Sequence, residues 1–187
     1  MRIIVGITGA SGVIYGIALL EALKRLRVET HLILSRQAED IIAIETPYTA
    51  EDTRALASSA YHEDDWSAPV ASGSFLHQGM VIAPCSMKTL AGIAAGYAEN
   101  LIQRAADVTI KERRRLVLVP RESPFSAVHL ENMLKLARLG VVIAPPVPAF
   151  YHRPEKIADL VGFSTGRILD ILGLENQLLK RWNGTPG

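Results

Sequence analysis

Five short apolar runs recur along the chain: Ile3–Ile7, Thr30–Leu34, Met80–Ala83, Leu116–Val119 and Val141–Ala144. Most are continuous rather than alternating, as strands read when helices cover both faces of their sheet. Segments of helical spacing lie between them. Val13 to Leu26 carries Ile14, Ile17, Ala18 and Leu20, with Lys24 and Arg25 near its end, where cations suit the helix dipole. Ser86–Ala95, Leu101–Lys111 and Ser126–Leu139 repeat the helical pattern. Pro154 suits the first turn of a last helix running through Leu172, because the donor it lacks is unpaired there. This alternation predicts an α/β fold, a doubly wound parallel sheet with helices on both faces, in a single domain over 1–187. Pro47 to Ser74 mixes acids, serines and Trp66 and reads as surface helix and loop.

Composition narrows the class. The chain has 187 residues, 49% of them hydrophobic, and a net charge of +1. That suffices for one real core and speaks against disorder or wholesale nucleic-acid binding. The one cysteine, Cys85, excludes an internal disulfide framework and a Cys-rich zinc site. The strand-like run Ile3-Ile4-Val5 lies where a signal peptide would carry a longer apolar block, and no apolar run approaches the ~20 residues of a membrane span. A cytoplasmic protein with no membrane association is the expectation.

Candidate chemistry clusters just after the predicted strands. "GITGASGVIYG" follows the first, with Gly6, Gly9 and Gly12 spaced by three and Ser11 placed to cap or donate. A glycine turn before a helix N-terminus is suited to phosphate; the bland reading is a capped turn. The spacing is not G-x-G-x-x-G, and the second strand ends in Ser35 rather than an acid, which argues against NAD. "MVIAPCSMKTLAGIA" repeats the arrangement, with Ser86, Met87, Lys88 and Thr89 at the strand's exit. Cys85 is either a nucleophile at a helix start or a small buried residue; without an identifiable His or Asn partner, the buried reading is preferred.

"KERRRLVLVPRESP" is harder to explain as surface. Arg104 and Lys111 share one helix face, and Arg113 and Arg114 suit a helix end. Arg121 and Glu122, however, leave a buried strand side by side. If that strand is central they stand on the same rim as the glycine turn, where Arg121 can fork onto a phosphate and Glu122 can move protons or balance charge. Tyr151 and Arg167 follow a stiff proline-rich loop; they are either a core ring and a surface cation or two parts of an anion clamp. His129 and His152 are not arranged as metal ligands, and no metal is assigned.

Taken in order, "GITGASGVIYG", "LSRQAEDIIAIET", "ASGSF", "MVIAPCSMKTLAGIA", "NLIQRAADVTIKERRRLVLVPRESP" and "PAFYHRP…GR" resemble the UbiX-type flavin prenyltransferases, formerly labelled 3-octaprenyl-4-hydroxybenzoate or phenylacrylic acid decarboxylases. The resemblance runs from the first strand to "GRILDILG", and its long central block is the most specific part. It implies a Rossmann-like flavoprotein that assembles as a homododecamer. It also implies transfer of a dimethylallyl group from dimethylallyl phosphate to N5 and C6 of reduced FMN, without a metal. The product, prenylated FMN, serves UbiD-type decarboxylases.

By the same resemblance, Gly9, Ala10, Ser11, Ser35, Ser86, Met87, Lys88, Thr89, Arg104 and Arg121 would bind or adjoin FMN. Lys111, Arg121, Tyr151 and Arg167 would hold the prenyl phosphate, from more than one subunit. Ser11, Glu45, Glu122 and Tyr151 form the expected catalytic set, Ser11, Glu45 and Glu122 assisting proton and phosphate handling, and Trp182 would belong to a closing tail. Ser123, Phe125 and Gln78 depart from residues frequent in the family, and none removes a proposed group. Two rivals predict different chemistry. A flavin-dependent cysteine decarboxylase would reduce FMN anaerobically, and a flavin carrier would bind FMN without turnover.

Overall fold

A computed structural model describes residues 1–179, 181, 182 and 184. Six strands, β1 (Arg2–Ile7), β2 (Glu29–Leu34), β3 (Ser59–His62), β4 (Gly79–Cys85), β5 (Arg115–Pro120) and β6 (Val142–Ile143), pair in parallel. Their order is β3-β2-β1-β4-β5-β6. The helices are α1 (Val13–Arg25), α2 (Arg36–Glu45), α3 (Ala50–Arg54), α4 (Met87–Ala95), α5 (Leu101–Lys111), α6 (Ala127–Arg138) and α7 (Ile157–Leu172).

Each strand feeds two cores, which explains the unbroken apolar runs. Ile3, Val5, Ile7, Val81, Val117 and Val119 pack with α1, α2 and α7. Ile4, Met80, Ile82, Leu116 and Leu118 pack with α4, α5 and α6. All of these strand side chains are buried. The helices after β1 and β4 therefore pack on opposite faces, which makes the carboxyl ends of these neighbouring strands the topological switch point of the sheet. Ligands of open α/β sheets bind at such a switch point.

Pro47 to Ser74 departs from the expectation of helix and loop alone, because it contains β3. Residues Ser59 to His62 lack an apolar run since an edge strand pairs on one side only, here with β2. Glu63, just beyond it, accepts from the Arg36 N–H (2.8 Å) and the Asn100 side-chain amide (2.7 Å), tying the starts of α2 and α5 together. The apolar spacing had not announced α2. Pro154 lies three residues before α7 rather than in its first turn. That start is set by Asp159, whose carboxylate accepts from the Glu155 (2.9 Å) and Lys156 (3.0 Å) amides.

The basic run is also used differently. Arg114 donates to the carbonyls of Gly73 (2.8 Å) and Phe75 (2.7 Å), so it latches a loop rather than complementing the end of α5. Arg115 donates to Ile171 O (2.6 Å) and satisfies a terminal carbonyl of α7. No helix among the described residues is long and apolar enough to cross a membrane.

Candidate active site

Thr8 fastens the switch point. Its hydroxyl donates to Pro84 O (2.8 Å) and accepts from the Ser86 N–H (2.9 Å), joining the exits of β1 and β4. Sequence reasoning passed over this residue, which is 2% exposed. Its signal was a hydroxyl set directly before a glycine turn, at the end of an otherwise apolar strand.

Gly12 caps α1 with φ of +95°, in the left-handed region that favours glycine. A side chain on Gly9 would run into Gln37 of α2, with its Cβ 3.1 Å from the Gln37 carbonyl carbon. The Gly9–Gly12 turn is thus pressed against α2 while its outer side stays partly open. No side chain caps α1 among the described residues from the N-cap position. Instead the Glu45 carboxylate, reaching from the end of α2, accepts from the Gly12 N–H at 2.7 Å. An anion at this position is what the free amides and the helix dipole favour.

Ser35 and Ser86 cap α2 and α4. The Ser35 Oγ accepts from the Ala38 N–H at 3.2 Å, and the Ser86 Oγ accepts from the Thr89 N–H at 3.2 Å. Ser86 also donates to Thr89 Oγ1 at 3.0 Å. Lys88 ion-pairs with Glu99 at 3.1 Å, and Met87 packs into the α4–α6 core. Cys85, beside Ser86, is fully buried. Burial pushes its thiol well above the usual range, so it carries no thiolate chemistry.

Arg121 and Glu122 do stand on this rim. The Arg121 Nε reaches across to Ser11 O at 3.3 Å, while a Glu122 oxygen accepts from the Ser123 N–H at 3.0 Å. The two side chains form no salt bridge with each other among the described residues. A β5 cation therefore leans over the β1 glycine turn.

The other cations are dispersed within one chain. Tyr151 meets the edges of the Phe163 (5.9 Å) and Trp182 (5.6 Å) rings. Arg167 lines a small cavity with Val119, Ala144, Pro145 and Phe163, and pairs with Asp170 at 3.1 Å. Both belong to the β6 side of the carboxyl rim. Lys111 does not. α5 runs back against the strands and ends just before β5 begins, so Lys111 lies at the amino edge of the sheet, beside Gly73. Arg104, on the same helix, donates to Ala71 O (3.1 Å) and Asp107 (3.0 Å). Within one chain, Arg104 and Lys111 thus form a separate group with the Ala71–Ser74 loop, apart from the rim that carries Arg121.

A flavin phosphate fits the first group. The glycine turn and the Arg121 guanidinium offer donors to an anion, and the partly exposed hydroxyls of Ser11 and Ser86 flank them.

Known proteins show the kinship of the chain. The Flavoprotein family profile matches residues 1–169. The flavin prenyltransferase LpdB of Lactiplantibacillus plantarum is 55% identical over 184 residues, 98% of this chain and 98% of that one. A dodecameric FMN-dependent UbiX-like decarboxylase from Escherichia coli O157:H7 superposes with a TM-score of 0.97 at 54% identity, covering 98% of this chain and 100% of that one. AnUbiX, solved with FMN and dimethylallyl pyrophosphate, gives a TM-score of 0.97 at 53% identity, covering 99% and 98%. Cysteine decarboxylases such as EpiD share the fold at 17% identity and a TM-score of 0.62. Matched by the family profile over most of its length and by relatives at more than half identity, the chain belongs to the Flavoprotein family and, within it, to the UbiX-type flavin prenyltransferases.

Proposed function

We propose that this chain transfers a dimethylallyl group from dimethylallyl phosphate to reduced FMN and releases prenylated FMN to a UbiD-type decarboxylase in the cytoplasm. The observation that carries the reading is Arg121 bridging from β5 to the Ser11 carbonyl, which sets a cation over the glycine turn at the switch point. Reduced FMN, when bound, supplies the nucleophilic N5 and C6 positions. Gly9, Ala10, Ser11, Ser35, Ser86, Met87, Lys88 and Thr89 are its proposed cradle, with Arg104 adjoining. The C1–O bond of the substrate breaks with its electron pair leaving on phosphate, and Lys111, Arg121, Tyr151 and Arg167 hold that anion. Ring closure forms one carbon–carbon bond, to C6, as the remaining double bond of the prenyl group takes up a proton, and Glu122, or the released phosphate, takes the proton that C6 loses. Ser11 and Glu45 assist at the α1 terminus, and Trp182 packs on Tyr151 as part of the closing tail.

Lys111 completes this set from a neighbouring copy. Its placement at the amino edge of its own sheet supports that reading, as does the dodecameric relative. α6 supports assembly too: of its residues only Leu136 is buried, while Val128, Leu130 and Leu134 stand exposed, an apolar face suited to burial against another copy.

Mass spectrometry of the flavin after anaerobic incubation of the reduced FMN-loaded enzyme with dimethylallyl phosphate tests the reading. A flavin heavier by one five-carbon unit is expected. Recovery of unmodified FMN refutes transfer.

A further inference from the structure

Lys111 is not a free cation in this fold. It pairs with its neighbour Glu112, and the pair sits directly over Gly73. A Cβ built on Gly73 would stand 2.6 Å from Glu112 Oε1 and 2.8 Å from Lys111 Nζ. The loop beneath is held in place on both sides. Arg114 donates to Gly73 O (2.8 Å) and Phe75 O (2.7 Å), and Arg104 donates to Ala71 O (3.1 Å).

Glu112 is poorly placed for helix stability. It is the C-cap of α5, where the dipole disfavours an anion. Its position is explained instead by the ammonium it faces: the hydrogen bond and charge of Lys111 hold its carboxyl below the usual range. A carboxylate there competes with any phosphate approaching Lys111 and lowers the positive potential that phosphate meets.

We propose that Glu112 is a positioning residue that holds Lys111 over Gly73 and weakens its grip on phosphate, so that the product anion can leave. The proposal rests on the reading of Lys111 as a phosphate ligand. It assigns Glu112 no contact with the flavin or the prenyl group.

Calorimetric titration of inorganic phosphate into the FMN-loaded enzyme, paired with steady-state kinetics in dimethylallyl phosphate, tests it. Glu112→Gln is expected to bind phosphate roughly two- to fivefold more tightly, the range open to a partly exposed ion pair. KM for dimethylallyl phosphate falls with it, kcat does not rise, and Glu112→Asp restores the parent values. Gly73→Ala, whose methyl displaces both flexible side-chain ends, is expected to weaken phosphate binding with the thermal midpoint unchanged. Phosphate affinity equal to or weaker than the parent in Glu112→Gln, while Lys111→Ala loses affinity, overturns the role of Glu112 and leaves Lys111 as a ligand. Parent-like affinity in Gly73→Ala overturns the claim that placement of the pair matters. Unchanged affinity in Lys111→Ala refutes the phosphate reading of Lys111 and the proposal with it.

Discussion

Replacing Arg121 by alanine separates ligand binding from folding. The side chain is exposed, and its hydrogen bond to Ser11 O is long at 3.3 Å. Losing that bond costs the fold less than about 1 kcal/mol. The Arg121 backbone N–H still donates to Cys85 O in the variant, so the exit of β5 keeps its course. A charge-assisted hydrogen bond to a phosphate contributes roughly 1.5–3 kcal/mol. Its loss should raise the dissociation constant for dimethylallyl phosphate roughly 10- to 150-fold. Titration of the substrate into FMN-loaded, oxidised enzyme reads binding without turnover, and thermal denaturation of the same samples reads the fold. Arg121→Lys should recover part of the loss, because an ammonium keeps the charge without the guanidinium fork. An affinity within about twofold of the parent, at an unchanged thermal midpoint, refutes the assignment of Arg121 to the phosphate.

Other perturbations probe different parts. Glu122→Gln should retain FMN and slow product formation in a single turnover by roughly 10²–10⁴-fold; an unchanged rate removes Glu122 from the proton path. Asp170 accepts from Arg181 at 2.8 Å and pairs with Arg167, and the Arg181 hydrogen bond leads in holding its carboxyl below the usual range. A carboxyl depressed in the folded state stabilises above its unfolded value of about 3.9 and loses that contribution as the pH falls through its folded value. Asp170→Asn should therefore be less stable than the parent near neutrality, with the gap narrowing below about pH 4 in denaturant titrations; a constant gap contradicts the linkage. Gly166→Ala would set a Cβ 2.7 Å from Leu179 Cδ2 and 2.9 Å from Asn176 Oδ1. It should cost about 1–3 kcal/mol and change the fluorescence of Trp182 in the tail; an unaltered midpoint argues that the tail yields without cost.

Buried strands and the turns after them were the most legible parts of the sequence. β1, β2, β4 and β5 carry apolar residues to two cores at once, so their runs are unbroken and their exits easy to find. The Gly9–Gly12 turn and Arg121 could be placed on one rim for that reason alone. β3 could not be read, because an edge strand of Ser59, Ala60, Tyr61 and His62 buries little and needs no apolar run. The position of Lys111 relative to Arg121 was hidden for a different reason. Its separation from Arg121 in sequence is short, yet β5 lies between them and carries the chain from one edge of the sheet to the other. Arg114 resembled a dipole partner because a cation near a helix end is common, whereas its true acceptors, Gly73 and Phe75, lie about forty positions earlier.

The sealed environment of Cys85 makes this chain report on its own integrity. With the sulfur fully buried and the thiolate suppressed, an alkylating reagent reacts only with molecules whose central strands have come apart. The labelling rate, divided by that of an unstructured thiol, then gives the open fraction directly. Because no other cysteine contributes background, each of the variants above can be ranked in stability under native conditions, without adding denaturant.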